Sequence, residues 1–278
     1  MANILYPPSR PQSVGEILDS AFRIFRATVL RCLPYAALAL IAGQIPNVYY
    51  LATGGVPAMI AATYSPLWWT LYCVGLVVSL ILWSVILLRQ YAVATGQPDA
   101  TARAAFATVI ARTPALLLLW FLIVAAVAVC LLPARAFHPP LEYGVLLLLL
   151  IPATYVTIAV SCAWAALLLT GRGALASFLY SWRLTAGNFW RLSLIYTVAV
   201  VLILVLYVLA GMIAGFVSLP LAHGDVAVIT AATTVVVVIL GAIGTPFYSA
   251  LALAVYGDLA VRKEGTDLAQ RISAPAIQ

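Results

Sequence analysis

Pro114-Ala-Leu-Leu-Leu-Leu-Trp120-Phe-Leu-Ile-Val-Ala-Ala-Val-Ala-Val-Cys130-Leu-Leu-Pro-Ala134 carries no charged residue between Arg112 and Arg135. A helix needs about 20 predominantly apolar residues to cross the hydrocarbon core of a bilayer. Thr113-Pro114 supplies an N-cap followed by proline at the first helical position. The stretch 114–134 therefore reads as a transmembrane helix. Five further runs meet the same test, over roughly 28–52, 67–94, 144–170, 191–219 and 227–260. The last is long for one straight span. Gly241, Gly244 and Pro246 interrupt it, which predicts a kink, with a re-entrant turn over 241–246 as the alternative.

Composition agrees. Hydrophobic residues make up 65% of the 278 and charged residues 8%, against about 25% charged in a soluble domain. The mean hydropathy is +1.11. So apolar a chain lacks the polar surface to cover a soluble core. The start, Met1-Ala-Asn-Ile-Leu-Tyr6, has no basic stretch followed by an apolar one and does not read as a cleaved signal. The first long apolar run begins near Thr28 and is expected to be retained as a span. The expectation is a single all-α membrane domain over 1–278, with six transmembrane helices.

The net charge of +6 resembles a nucleic-acid signal until the basic residues are placed. Arg10, Arg23, Arg26 and Arg31 precede or open the first span. Arg89, Arg103 and Arg112 fall between or flank the second and third. Arg172, Arg183 and Arg191 fall between or flank the fourth and fifth, and Arg262, Lys263 and Arg271 follow the sixth. Thirteen of fourteen thus share one side, and Arg135 alone falls on the other. The positive-inside rule puts the thirteen in the cytoplasm. Both termini, 1–12 and 262–278, are then cytoplasmic, and no nucleic-acid partner is expected. The outer loops are short and hold few charges. Trp68, Trp69, Trp120 and Trp190 fit an interfacial aromatic belt.

A short amphipathic segment precedes each odd-numbered span. In 13–26, Val14, Ile17, Leu18, Ala21, Phe22 and Phe25 follow one helical face. Ser13 and Glu16 form a capping box at its start. In 99–112, Ala102, Ala105, Phe106, Val109 and Ile110 share a face. In 173–186, after the Gly171-Arg-Gly173 hinge, Leu175, Phe178, Leu179 and Trp182 do so, and Gly187-Asn188 ends the segment. The spans thus read as three pairs, each introduced by an interfacial helix on the cytoplasmic surface. Ordinary amphipathic loop helices are the alternative.

Near its end the chain reads Leu253-Ala-Val-Tyr256-Gly-Asp258-Leu-Ala-Val-Arg262-Lys263-Glu264-Gly265-Thr-Asp267-Leu268. This resembles the closing signature of the glycerophosphoryl diester phosphodiesterase membrane-domain family, roughly L-Y-x-D-L-R-x-R-K-E-G-x-D-L. Arg10-Pro-Gln-Ser-Val-Gly-Glu16-Ile-Leu-Asp-Ser-Ala-Phe22 and the segment from Gly173 through Trp182-Arg183 to Trp190-Arg191 are similar to the same family. Ala260 departs from it, standing where the family has an Arg. The resemblance implies a multi-pass protein of the bacterial inner membrane. It covers the membrane module only. The sequence runs ten residues past Leu268, so a phosphodiesterase barrel of about 250 residues is not expected in it. Read from its residues alone, the signature is a helix terminus: Asp258 and Arg262 pair at i, i+4, basic residues favour a helix C-terminus, and Gly265 fits a C′ cap. Docking of a cytoplasmic partner is the sharper reading.

Motifs of enzyme chemistry are missing. HExxH, GxSxG and Walker patterns do not occur. Tyr256-Gly257-Asp258 has no second intramembrane Asp to complete a protease dyad. Cys32, Cys73, Cys130 and Cys162 are widely spaced and read as apolar helix residues. His138 with Glu142 and His223 with Asp225 read as solvated outer-loop residues. No catalytic residue, metal or cofactor is expected. Arg23, Arg26, Arg103, Arg183, Arg191, Arg262 and Lys263 are expected at lipid headgroups. The expected role is a non-enzymatic scaffold or accessory module engaging anionic lipid, or a membrane or cytoplasmic protein partner, at the cytoplasmic face. The alternative is a transporter or channel for a small or amphipathic solute. Gln44 and Asn47 beside Pro46, and Thr154, Tyr155 and Ser161 after Pro152, would then line a cavity between proline-interrupted helices; hydrogen bonding between helices is the plainer reading of the same residues.

Overall fold

A computed structural model describes residues 5–53, 65–97, 101–138, 140–222 and 226–265. All its regular structure is helical: α1 (Val14–Thr53), α2 (Pro66–Ala94), α3 (Ala102–Leu131), a 3-10 turn (Leu132–Ala136), α4 (Leu141–Ala159), α5 (Ala163–Thr170), α6 (Ala174–Thr185), α7 (Phe189–Ala222) and α8 (Val226–Glu264). Six stretches are long and apolar enough to cross a bilayer, with α4 and α5 together forming the fourth. The chain is a multi-pass, all-α integral membrane protein.

Packing fits that setting. Alanines fill much of the interior, among them Ala21, Ala94, Ala163, Ala165, Ala166, Ala250 and Ala254, all buried. Large apolar side chains such as Phe121, Val129, Leu147 and Ile151 point outward. Lipid gives no hydrophobic drive to bury leucine, so small residues occupy the contacts where backbones approach closely. α1 lies along both α2 and α8 and forms the centre of the bundle. Gly75 of α2 sits against the Ala42 carbonyl of α1, and the Ser79 hydroxyl donates to Ala39 O at 2.7 Å. In the same core, Gln90 donates to Pro246 O of α8 at 2.7 Å.

The expected elements differ from these in three places. The segment 13–26 is not a separate interfacial helix but the first part of α1. Its capping box forms, with Ser13 N donating to Glu16 at 2.7 Å. Ile17, Ala21 and Ile24 are buried in the bundle. Nothing at Ala27-Thr28 stops the helix, because the Thr28 hydroxyl donates back to Ile24 O at 2.7 Å. At 40 residues α1 is about 60 Å long, far more than one bilayer crossing requires.

The second segment, 99–112, is likewise continuous with its span. Residues 98–100 lie outside the described residues; from Ala102 the helix runs unbroken through Pro114. Thr101 is its N-cap, accepting from Ala104 N, so the cap lies twelve residues before Thr113. Membrane helices tolerate an internal proline where neighbours re-satisfy the freed backbone. Only the third segment stands alone, as α6.

Two alternatives stood for span six, a kink and a re-entrant turn. α8 passes through Gly241, Gly244 and Pro246 as one helix, so there is no re-entrant turn. Gly241 serves close packing instead: a Cβ there would come within 2.7 Å of Leu40 Cδ1 and 2.9 Å of the Tyr207 hydroxyl.

The break falls in span four, at 160–162, eight residues past Pro152. Hydroxyls of α6 close it. Ser181 donates to Ala159 O at 2.8 Å and accepts from Cys162 N at 3.1 Å, and Thr185 donates to Ala159 O at 3.1 Å. Thus α6 buries its Ser177, Ser181, Leu184 and Thr185 face, while Leu175, Leu179 and Trp182 look outward.

Gly75→Ala should cost about 1–3 kcal/mol, the usual range for overpacking, because its Cβ meets backbone rather than a movable side chain. The measurement is the unfolding midpoint in detergent. An unchanged midpoint would mean that α1 and α2 do not approach this closely.

Candidate functional site at the basic end of the bundle

The chain folds its ends together. Before α1, Leu5 and Tyr6 donate their amides to Ala94 O, at the end of α2, at 2.8 and 3.0 Å. The Tyr6 ring is buried edge-on to Tyr91, 5.4 Å between centroids. It rests on Gly257 of α8, where a Cβ would come within 2.5 Å of the ring. Only glycine leaves that notch open. Burial pushes the Tyr6 phenol well above its ordinary range.

One residue further along α8 stands Asp258. Its side chain is 1% exposed. Gln12 N donates to one carboxylate oxygen at 2.6 Å. Arg191 of α7 and Arg262 of α8 both bind the other, at 2.7 and 2.9 Å. Both arginines also donate to Gln12 O, Arg262 at 2.6 Å. A buried carboxylate costs several kcal/mol in desolvation unless it is paired and hydrogen-bonded. Here one carboxylate joins three separate parts of the chain. Sequence spacing predicts the Asp258–Arg262 pair, and that pair forms. Arg191 and Gln12 were missed as partners. An Asp left inside an apolar helix was the only signal pointing to a second cation.

The helix ends beside it are closed in detail. Lys263 donates to Ala186 O at 2.9 Å. Gly265 takes a φ of +59° and donates to Val261 O at 3.2 Å, the predicted C′ cap. Tyr180 of α6 donates to Glu264 at 2.7 Å beneath the Arg172 guanidinium, 3.8 Å from the ring centroid. Burial first, and then that hydrogen bond, push the Tyr180 phenol far up. Arg112 donates to Leu167 O and Leu168 O at 2.6 and 2.9 Å, capping α5.

The seven predicted headgroup residues therefore divide. Arg191 and Arg262 are engaged by Asp258, and Lys263 by a carbonyl. Arg23, Arg26, Arg103 and Arg183 are exposed, and no carboxylate pairs with them among the described residues. Trp190, 83% exposed, stands next to Arg191 in sequence.

The predicted cavity residues are not brought together. Gln44 and Asn47 bond to each other on α1. Gln44 lines a cleft of about 210 Å³ whose walls are α1 and α2, with Gly43, Gly75, Ser79 and Trp83. Thr154 and Tyr155 lie on the exposed side of α4, with Tyr155 against the rings of Trp182 and Phe189. Ser161 lies at the span-four break, adjoining the Cys162 thiol at 3.9 Å. At the opposite end Arg135 pairs with Glu142 at 3.3 Å. His223 and Asp225 lie outside the described residues. Among those described, no three His, Cys, Asp or Glu side chains converge as a metal site. No family model, no curated protein and no solved structure matches this chain.

Asp258→Asn leaves two guanidinium groups without their anion and should destabilise the fold by about 3 kcal/mol, the lower end for a broken buried pair. Arg191→Gln added to Asp258→Asn should cost much less than it does alone. Chemical denaturation in detergent would measure both. Additive losses would show that the two side chains do not interact.

Proposed function

We propose that the protein is a non-enzymatic scaffold or accessory module whose basic end engages the headgroups of anionic lipids, with docking of a protein partner at the same end as the related role. The observation that carries this reading is the division of the cations. Asp258 neutralises some, while Arg23, Arg26, Arg103 and Arg183 stay exposed and, among the described residues, without carboxylate partners. Each basic group near an anionic leaflet adds roughly 1 kcal/mol of attraction. The exposed Leu175, Leu179, Trp182 and Trp190 offer apolar contact for acyl chains beside them. The positive-inside rule places this end in the cytoplasm with both termini. The resemblance to the glycerophosphoryl diester phosphodiesterase membrane-domain family supports a bacterial inner membrane.

Neutralising Arg23, Arg26, Arg103 and Arg183 together to Gln should cut retention of phosphatidylglycerol by about ten-fold or more, read by native mass spectrometry of protein released from mixed-lipid nanodiscs. Retention equal to the wild type would sink the lipid reading. Reporter fusions at either terminus should be active only on the cytoplasmic side, and a periplasmic signal from either would reverse the orientation.

A further inference from the structure

Between α2 and α3, at the basic end, lies a second cleft of about 150 Å³. Two helical stripes face each other across it: Leu88, Arg89 and Ala92 from α2, and Thr101, Ala104, Ala105 and Thr108 from α3. The alanines keep its walls thin. Arg89 supplies its charge. The guanidinium lies 5.6 Å from the centroid of the Tyr35 ring, which itself touches Phe106 of α3 at 5.8 Å. Arg89 is therefore held from α1 and does not swing freely. Its Nε is buried without an acceptor, and no carboxylate pairs with it, among the described residues. A half-buried cation without an anion beside a membrane surface is costly to keep.

The rest of the cleft offers one further donor. Thr101 accepts from Ala104 N at 3.3 Å, which leaves its own hydroxyl proton to give. Thr108 gives its proton to Ala104 O at 2.9 Å and so contributes wall, not a donor.

We propose that this cleft is a phosphate-binding site, with Arg89 as its cationic anchor and the Thr101 hydroxyl as its second donor. The phosphate is that of an anionic phospholipid headgroup or of a small soluble phosphate. The lipid form of the proposal rests on the headgroup reading above, yet it names a single site that the four exposed arginines do not include.

The test uses the full-length protein in nanodiscs of phosphatidylcholine with phosphatidylglycerol, and native mass spectrometry as the readout. Arg89→Gln should lower phosphatidylglycerol retention about five-fold, the effect of one well-placed charge. Ala104→Leu should do the same by filling the cleft while leaving Arg89 in place, so the result does not depend on whether Arg89→Gln folds well. Retention at the wild-type level in both variants overturns the lipid form. In a second arm, inorganic phosphate is titrated into detergent-solubilised protein. A rise in unfolding temperature in the wild type that both variants lose assigns the site to a soluble phosphate. No rise in this arm, together with wild-type lipid retention in the first, ends the proposal. Asp99→Asn is the control for an internal partner. If it and Arg89→Gln lower the unfolding temperature equally and non-additively, Asp99 holds Arg89 and the proposal falls. Loss of lipid in the Arg89 variant with normal retention in the four-arginine variant would refute the broader surface reading and keep this site. The reverse result would do the opposite.

Discussion

A carboxylate buried to 1% exposure in a membrane bundle must be satisfied from every side, and Asp258 is. Its two oxygens take one backbone amide and two guanidinium groups. Since those donors come from the segment before α1, from α7 and from α8, desolvation of a single side chain is offset only when the three meet. Neither arginine reaches Asp258 alone; each also donates to Gln12 O. The carboxylate thereby fixes the approach to α1. The Tyr6 ring on Gly257 and the amides of Leu5 and Tyr6 on Ala94 O continue the same closure toward α2. The two ends of the described chain are joined at the charged end of the molecule, where an aqueous boundary would otherwise loosen them.

Neutral hydrogen bonds also join elements of the bundle. Ser181 and Thr185 supply partners to backbone groups at the span-four break, and Gln90 ties α2 to α8 at Pro246. In hydrocarbon an unpartnered backbone group costs several kcal/mol, so a broken helix persists only where another element supplies its bonds. This explains why α6, which turns Leu175, Leu179 and Trp182 outward, is still firmly part of the bundle. Its buried face joins the hydroxyls of Ser177, Ser181 and Thr185 to Ala174 and Leu184.

The fold was largely legible because crossing a bilayer demands long uninterrupted apolar runs, and those are visible at 114–134 as plainly as anywhere. The helix caps at Ser13–Glu16 and Gly265 were legible too, since both are local in sequence. What escaped was non-local. Pro114 suggested a helix start, but α3 runs through it, while the actual break at 160–162 contains neither proline nor glycine and depends on α6. The apolar face of 13–26 was visible, but its burial in the bundle depends on neighbours that periodicity does not name. Counting basic residues assigns thirteen of the fourteen to one side of the chain. It could not separate Arg191 and Arg262, engaged by Asp258, from Arg23, Arg26, Arg103 and Arg183, which are exposed. Nor could it single out Arg89, whose surroundings come from three helices.

Backbone hydrogen exchange over residues 5–12 bears most directly on the role of Asp258. With the wild-type carboxylate, the Leu5, Tyr6 and Gln12 amides should be protected together. In Asp258→Asn they should lose protection together, along with the first turns of α1 and α7, while the centres of α2 and α8 keep theirs. Protection unchanged across 5–12 in that variant, or lost at Gln12 alone, would contradict the view that one buried carboxylate holds the ends of this bundle closed.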